Sequence, residues 1–80
     1  MPRKVVRGFA VSTVYSVLQT AVYPVDEKRP GHCANCYREY SSVEEARLGH
    51  EKIIAEIASG RLKPVFVPLE KPEDQPEPSP

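Results

Sequence analysis

The sequence predicts a small α+β domain of ββα type, in which an antiparallel β-hairpin packs on one amphipathic helix. Three observations support this fold: a β-prone run over residues 9–23, a second short strand over 37–40, and a capped helix that begins after Ser42. A chain of 80 residues forms one domain at most. We therefore divide it into a basic N-terminal arm at 1–8, a ββα domain at 9–67 and a Pro-rich acidic tail at 68–80.

The two ends of the chain carry opposite charges. Residues 1–8 contain no acid and three cations, which are Arg3, Lys4 and Arg7. Residues 69–80 contain four acids and one lysine. Such ends favour head-to-tail contact between neighbouring copies, or contact with partner proteins. The alternative is a pair of solvated termini that only aid solubility, which is the more common case.

The run from Phe9 to Tyr23 contains no Gly, Pro, Asn or Asp and is rich in β-branched residues. Uninterrupted alternation places Thr13 on one face and Thr20 on the other. Its fifteen residues exceed a usual strand of about five or six, so we expect one of two arrangements. Either a bend near 16–19 divides the run into two strands, or one long strand extends beyond the domain and offers an unpaired edge to another chain. The run is too short and too polar to span a bilayer.

The clearest helix start lies at Ser42. Its hydroxyl and Glu45 form a capping box, and Gly60 is a typical C-terminal stop. Before the helix, residues 26–31 are turn-prone, so the strand at 37–40 can return antiparallel to the first strand. Steps of three and four residues predict an apolar helix face made of Val43, Ala46, His50, Ile53, Ile54 and Ile57.

Proline recurs at a four-residue spacing toward the C-terminus, at Pro64, Pro68, Pro72, Pro76 and Pro80. Because proline lacks a backbone donor and fixes φ at about −65°, this segment is predicted to be an extended polyproline II strand and not a helix. A short strand at 65–67 precedes the tail, and its flanking prolines confine it to the edge of a sheet.

The thiol and imidazole groups of the chain suggest a metal site. Cys33, Cys36 and His50 follow a C-x2-C-x13-H spacing, which resembles the first three ligands of a classical ββα zinc finger. Ile54 stands where a second histidine is expected, so the fourth ligand is either His32 or a group outside the chain. The acidic helix has the wrong charge for a helix that reads DNA, so we expect no direct nucleic-acid recognition.

The other interpretation leaves these residues in the core. His50 then faces the sheet, with its ring hydrogen-bonded to a strand carbonyl and with Gly49 allowing close approach. Cys33 and Cys36 are then free thiols, or a local disulfide that constrains little because it closes a short ring. We prefer this interpretation and expect no cofactor, with zinc as the alternative.

No catalytic set of residues is found in the sequence. It has no glycine-rich phosphate loop and no suitable Ser/His/Asp arrangement, and Glu44 and Glu45 are accounted for by capping. The 11 basic and 11 acidic residues cancel, so bulk electrostatic binding to nucleic acid or to an anionic membrane is not indicated. We expect a protein without enzymatic activity and without a small-molecule substrate.

Two segments resemble a family of small phage-encoded proteins. Residues 19–23 are similar to the family's strand F-E-T-M-V-F-G, and residues 38–50 are similar to its motif R-Y-x-T-W-E-E-A-x-x-G-H. In the strand, Gln replaces the acid and Ala replaces Met. Val43 replaces the usual Trp, and the family generally lacks the C-x2-C insert. The resemblance implies a phage origin, a ββα core and a structural role for His50, and it supplies no activity.

These observations predict a phage structural or assembly protein that acts through protein-protein contacts in a virion or a homo-oligomer, located in the virion or the host cytoplasm. The alternative is a small zinc-stapled binding or regulatory module, for example an inhibitor of a host protein. The expected partners are other phage proteins or further copies of the chain. The residues predicted to make these contacts are Arg3, Lys4, Arg7, Tyr15, Tyr23, Phe66, Pro68 and Pro72.

Overall fold

The computed structural model describes residues 3–69 and confirms the α+β class. Within those residues the elements are β1 (Arg3–Val6), β2 (Phe9–Val14), β3 (Gln19–Pro24), β4 (Gly31–Cys33), a 3-10 turn (Ala34–Cys36), β5 (Arg38–Glu39), α1 (Val43–Ser59) and β6 (Phe66–Pro68). The part of the predicted tail beyond Leu69, including Pro72, lies outside the described residues.

The structure has more strands than the predicted hairpin. β1, β2, β3 and β5 form a four-stranded antiparallel sheet in the order β1-β2-β3-β5. β4 pairs antiparallel with β6 in a separate two-stranded sheet. The predicted return of the second strand onto the first is confirmed by the pairing of β5 with β3, where Glu39 lies opposite Gln19.

Residues 3–6 belong to the main sheet, whereas their charge predicted an arm that precedes the domain. β1 pairs with β2 across the two-residue turn Arg7–Gly8, in which φ is 51° and 82°. Positive φ at both positions is typical of the type I′ turn, whose twist matches that of the flanking strands. The pairing satisfies main-chain donors and acceptors of this segment, so the domain begins earlier than the charge pattern suggested.

The β-prone run is divided into two strands, as the first of the two predicted arrangements requires. The four residues from Tyr15 to Leu18 connect β2 to β3, and Leu18 adopts a left-handed conformation with a φ of 55°. Thr13 and Thr20 are consequently direct cross-strand partners on one face of the sheet. The prediction that they lie on opposite faces was wrong, because it continued the alternation of side chains through residues 15–18. The chain reverses direction there, and the side chains of β3 alternate from a new starting point.

The predicted limits of α1 are confirmed. The Ser42 Oγ accepts a hydrogen bond of 3.1 Å from the Glu45 amide, and the Glu45 carboxylate accepts one of 2.8 Å from the Ser41 amide. Gly60 ends the helix in the left-handed conformation with a φ of 83°. The buried face of α1 contains Ala46, His50, Ile53 and Ile57, whereas Val43, which the periodicity included, is 57% exposed because it lies in the first turn.

The core lies between α1 and one face of the main sheet. Val11 and Val22 are cross-strand partners and are fully buried against Ile53 and Ile57. The alternate side chains of the same strands form the opposite face, which we call the outer sheet face. Its exposed or half-buried members are Arg3, Val5, Ser12, Val14, Gln19, Ala21 and Tyr23.

Asn35 joins the 3-10 turn to the chain that follows α1. Its Nδ2 donates to the Lys63 carbonyl at 2.9 Å, and its Oδ1 accepts from the Val65 amide at 3.0 Å. The side chain therefore pairs with the backbone as a strand would, and it positions the residues that enter β6. The predicted edge strand at 65–67 is confirmed with a shift of one residue, at Phe66–Pro68.

We expect Asn35→Ala to lower the free energy of unfolding by about 1–2 kcal/mol, since it removes two hydrogen bonds to the backbone and a weak one from the Cys36 thiol. Urea denaturation monitored by circular dichroism measures this change. The matched variant Asn35→Asp retains an acceptor for the Val65 amide and should lose less. Equal stability of Asn35→Ala and the wild type would show that the bridge does not hold β6.

Candidate functional site

His50, one of the predicted zinc ligands, lies in a buried chain of hydroxyl groups. Its ring is on the sheet-facing side of α1 and is 6% exposed. The His50 Nδ1 lies 2.7 Å from the Thr13 Oγ1, which lies 2.6 Å from the Thr20 Oγ1. The Tyr40 hydroxyl donates to the Thr20 Oγ1 at 3.0 Å. We call these four residues the hydroxyl chain, and they connect α1, β2, β3 and the segment between β5 and α1.

The donors in the hydroxyl chain can be ordered, since each hydroxyl has one proton. Tyr40 donates to Thr20, Thr20 can then donate to Thr13, and Thr13 to the Nδ1 of His50. In this order the imidazole is neutral and carries its proton on Nε2. Burial lowers the pKa of His50 below its usual value, and the nearby Glu51 carboxylate opposes this only in part. The hydroxyl chain therefore favours a neutral, core-facing histidine.

The close approach expected at Gly49 is made by Tyr40. A Cβ at position 49 would lie 2.6 Å from the Tyr40 Cζ, which is closer than two carbon atoms can pack. The absence of a side chain at Gly49 lets the Tyr40 ring rest on the helix and reach Thr20. The expected partner of His50, a strand carbonyl, was wrong, because the Thr13 hydroxyl takes that place.

Cys33 and Cys36 are fully buried free thiols of the hydrophobic core. They pack in the cluster that contains Val22, Ile53 and Ile57. Burial, with a smaller contribution from Cys36, raises the pKa of Cys33 to about 11. Burial also raises the pKa of Cys36. Both thiols are therefore protonated at neutral pH, whereas metal binding and nucleophilic attack use the thiolate.

The structure does not bring the four predicted zinc ligands together. His32 is exposed, with its ring edge-on to Tyr37 at a centroid distance of 6.3 Å. The Nδ1 of His50 is engaged by Thr13, and the two cysteines lie in the apolar cluster. In residues 3–69, no group of three or more His, Cys, Asp or Glu side chains is arranged to hold a metal ion.

Three of the predicted contact residues, Arg3, Arg7 and Tyr23, make contacts within the domain. The Arg3 Nε donates to the Tyr23 hydroxyl at 3.2 Å, and the guanidinium lies 5.8 Å from the centre of the Tyr23 ring. The Arg7 Nη1 donates to the Ala58 carbonyl at 3.1 Å, near the C-terminus of α1, where a cation is favourable to the helix dipole. Lys4 is exposed on β1. These intramolecular contacts were not apparent from the sequence.

The structure brings Tyr23 and Phe66 together, although 42 positions separate them in the sequence. They line a surface groove of about 320 Å³, which we call the aromatic groove; its other walls include Pro24, Arg29, Pro30 and Gly31. Tyr15 lies in the connection between β2 and β3, and Pro68 ends β6. The residues of the groove come from three separate segments, so no local sequence pattern indicates it.

Arg29 and Glu27 are the charged residues that line the aromatic groove. Its guanidinium lies 5.3 Å from the centre of the Phe66 ring, and its Nε donates to Glu27 at 2.9 Å. The hydrogen bonds from Arg29 hold the pKa of the Glu27 carboxyl at about 2. The Arg29 side chain nevertheless remains 62% exposed, so it is accessible to a further anionic group.

The described part of the chain contains no helix with the length and apolar composition needed to cross a membrane. Comparison of the sequence and the structure with protein families, curated proteins and solved structures gave no match.

We expect acid to destabilise the fold through His50. The unfolded chain binds the imidazole proton at about pH 6.5, whereas the folded chain binds it only at lower pH, so protons favour the unfolded state. The free energy of unfolding should therefore fall as the pH drops below about 6.5. Urea denaturation between pH 7.5 and pH 5 tests this. His50→Gln should flatten the slope and the exposed control His32→Gln should keep it; an unchanged slope in His50→Gln would exclude His50 as its source.

We expect the effect of Gly49→Ala to depend on Tyr40. In the wild type the new methyl group collides with the ring and should cost about 1–3 kcal/mol of stability. In a Tyr40→Ala background the ring is absent, so the higher helix propensity of alanine should instead add about 1 kcal/mol. Urea denaturation of the four proteins in this cycle gives both changes. The same loss in both backgrounds would contradict the contact.

Proposed function

We propose that the protein is a non-catalytic structural or assembly protein of a phage, which acts through protein-protein contacts in a virion or a homo-oligomer. The observation that carries the proposal is the outer sheet face with its β1 edge. Within residues 3–69, β1 has one strand neighbour, β2. A free strand edge beside half-exposed side chains is a surface to which another chain can add.

The chemistry of this surface indicates a selective contact. Val5 is 49% exposed and shares the outer sheet face with Arg3, and Lys4 lies between these two residues in β1. Cations on an edge strand discourage indiscriminate pairing with other strand edges. They favour a partner that presents acidic residues together with an apolar side chain for Val5.

The hydroxyl chain gives little support to the alternative of catalysis. A general acid or base must come within hydrogen-bond reach of a substrate. His50 is nearly buried, and its Nδ1 is engaged by Thr13. The hydroxyl chain is better suited to holding α1 on the sheet than to transferring a proton to a bound molecule.

The assignment to a phage depends on the resemblance of residues 19–23 and 38–50. The positions shared with that family include Thr20, Tyr40 and His50, which belong to the hydroxyl chain, and Gly49, on which Tyr40 packs. The positions shared with the family are thus ones whose side chains or backbone make the contacts between α1 and the sheet. This supports a common fold and leaves the contact surface specific to this chain.

Native mass spectrometry of the purified protein tests the proposal. We expect an oligomer without metal, or a metal-free monomer that binds to purified phage particles. A monomer that carries one zinc ion and unfolds on addition of a chelator would contradict the proposal and favour the zinc-stapled module.

Removal of residues 70–80 should separate folding from assembly. The truncation retains the hydrogen bond of 2.8 Å from the Leu69 amide to the Pro30 carbonyl. We therefore expect the free energy of unfolding to stay within about 0.5 kcal/mol of the wild type, with weaker assembly by native mass spectrometry. Loss of folding would show that the removed residues are part of the core.

A further inference from the structure

We propose that the aromatic groove binds the Pro-rich acidic segment 70–80 of a second copy of this chain. This inference rests on the proposed assembly function and names one contact that carries it. The segment contains Pro72, Pro76 and Pro80 at four-residue spacing, with acids between them. Three features of the described residues support this occupant: the walls of the groove, its cations and the place where residue 69 lies.

The walls of the groove suit proline. Tyr23 and Phe66 supply two aromatic rings, and Pro24 and Pro30 lie beside them. Aromatic-lined grooves are a recurrent binding site for Pro-rich segments, because such segments are already extended and lose little conformational entropy on binding. Gly31 contributes to this shape, since a Cβ there would lie 2.8 Å from the Phe66 ring and would displace it.

Two arginines suit the acids that separate the prolines: Arg29, which lines the groove, and Arg3, which lies beside it. Arg29 donates to Glu27 through Nε and Nη2, and its Nη1 makes no hydrogen bond with residues 3–69. Arg3 lies at the other ring, where its Nε donates to the Tyr23 hydroxyl. Each arginine thus has N–H groups left for a carboxylate. The acids available in the segment are Glu70, Glu73, Asp74 and Glu77.

The end of the described chain favours a second copy as the source of the segment. The Leu69 amide donates to the carbonyl of Pro30, which lines the groove, so the described chain ends beside the groove. Eleven residues of a polyproline II strand span roughly 34 Å. Because proline at every fourth position predicts an extended segment and not a reversal, we infer that the groove receives the segment of a neighbouring copy and not its own. The neighbour's segment can return to the first groove, which gives a closed two-fold exchange.

A charge-reversal pair tests the proposal in the full chain. The groove variant is Arg3→Glu with Arg29→Glu, and the segment variant is Glu70→Lys, Glu73→Lys, Asp74→Lys and Glu77→Lys. We expect each variant alone to dimerise at least about tenfold more weakly than the wild type in low salt, measured by sedimentation velocity. An equimolar mixture should regain wild-type affinity, because in the mixed dimer both grooves face a segment of opposite charge. Native mass spectrometry identifies that mixed dimer by its mass.

The controls separate charge at the groove from charge elsewhere and from misfolding. Arg47→Glu with Arg61→Glu reverses two exposed arginines away from the groove and should leave dimerisation unchanged. The segment variant alters no described residue, so it tests the proposal even if the groove variant fails to fold. Circular dichroism and urea denaturation report whether each variant is folded.

The outcomes distinguish the inference from the proposed function. The proposal is supported if each variant alone dimerises weakly and the equimolar mixture dimerises with wild-type affinity. A wild-type oligomer that neither variant weakens overturns the groove contact and leaves assembly by another surface. If each variant dimerises weakly and the mixture also dimerises weakly, the segment of one copy does not bind in the groove of the other, and the proposal is overturned. A wild type that remains monomeric at millimolar concentration also overturns it, whereas binding of that monomer to phage particles would leave the assembly function standing.

Discussion

The fold depends on a hydrogen bond between two threonines on neighbouring strands. Thr13 and Thr20 face each other across β2 and β3, with hydroxyl oxygens 2.6 Å apart in the core. Burying a hydroxyl group lowers stability unless the group makes hydrogen bonds. Here His50 and Tyr40, from other parts of the chain, supply the further hydrogen-bond partners of Thr13 and Thr20. A slip of one residue between the strands would separate the two hydroxyls onto opposite faces and leave buried groups without partners. Strand register, helix position and the approach of Tyr40 are thereby coupled.

This polar cluster accompanies a small apolar core. The fully or almost fully buried apolar side chains around it are Val11, Val22, Ile53 and Ile57, together with two thiols. Domains of this size commonly need a cross-link in addition to their core. The described contacts supply hydrogen-bonded cross-links: the hydroxyl chain connects the helix to the sheet, and Asn35 connects the 3-10 turn to the last strand. The cysteines contribute as small buried hydrophobic groups.

The sequence predicted elements whose signals are local. Ser42 and Gly60 defined α1 because capping depends on a few adjacent residues, and the prolines around 65–67 defined an edge strand for the same reason. The hairpins were harder to predict, because Arg7 and Leu18 adopt positive φ without being glycine or asparagine. The core position of His50 was anticipated from helix periodicity. Its partner was not, because the exact length of the turn between β2 and β3 decides whether Thr13 and Thr20 share a face, and the sequence did not fix that length. The aromatic groove depends on contacts between distant segments, which no local pattern encodes.

The two buried thiols give this domain a built-in probe of its own local opening. Cys33 lies in β4, which pairs with β6, and Cys36 lies in the adjacent 3-10 turn, which Asn35 connects to the residues before β6. Exposure of either thiol therefore requires that β6 separate from β4 or that the Asn35 contacts break. A thiol-specific reagent cannot reach them in the closed state. The reaction rate of the thiols therefore reports how often β6 separates from β4 and the 3-10 turn. This local opening is distinct from global unfolding, which also exposes the hydroxyl chain.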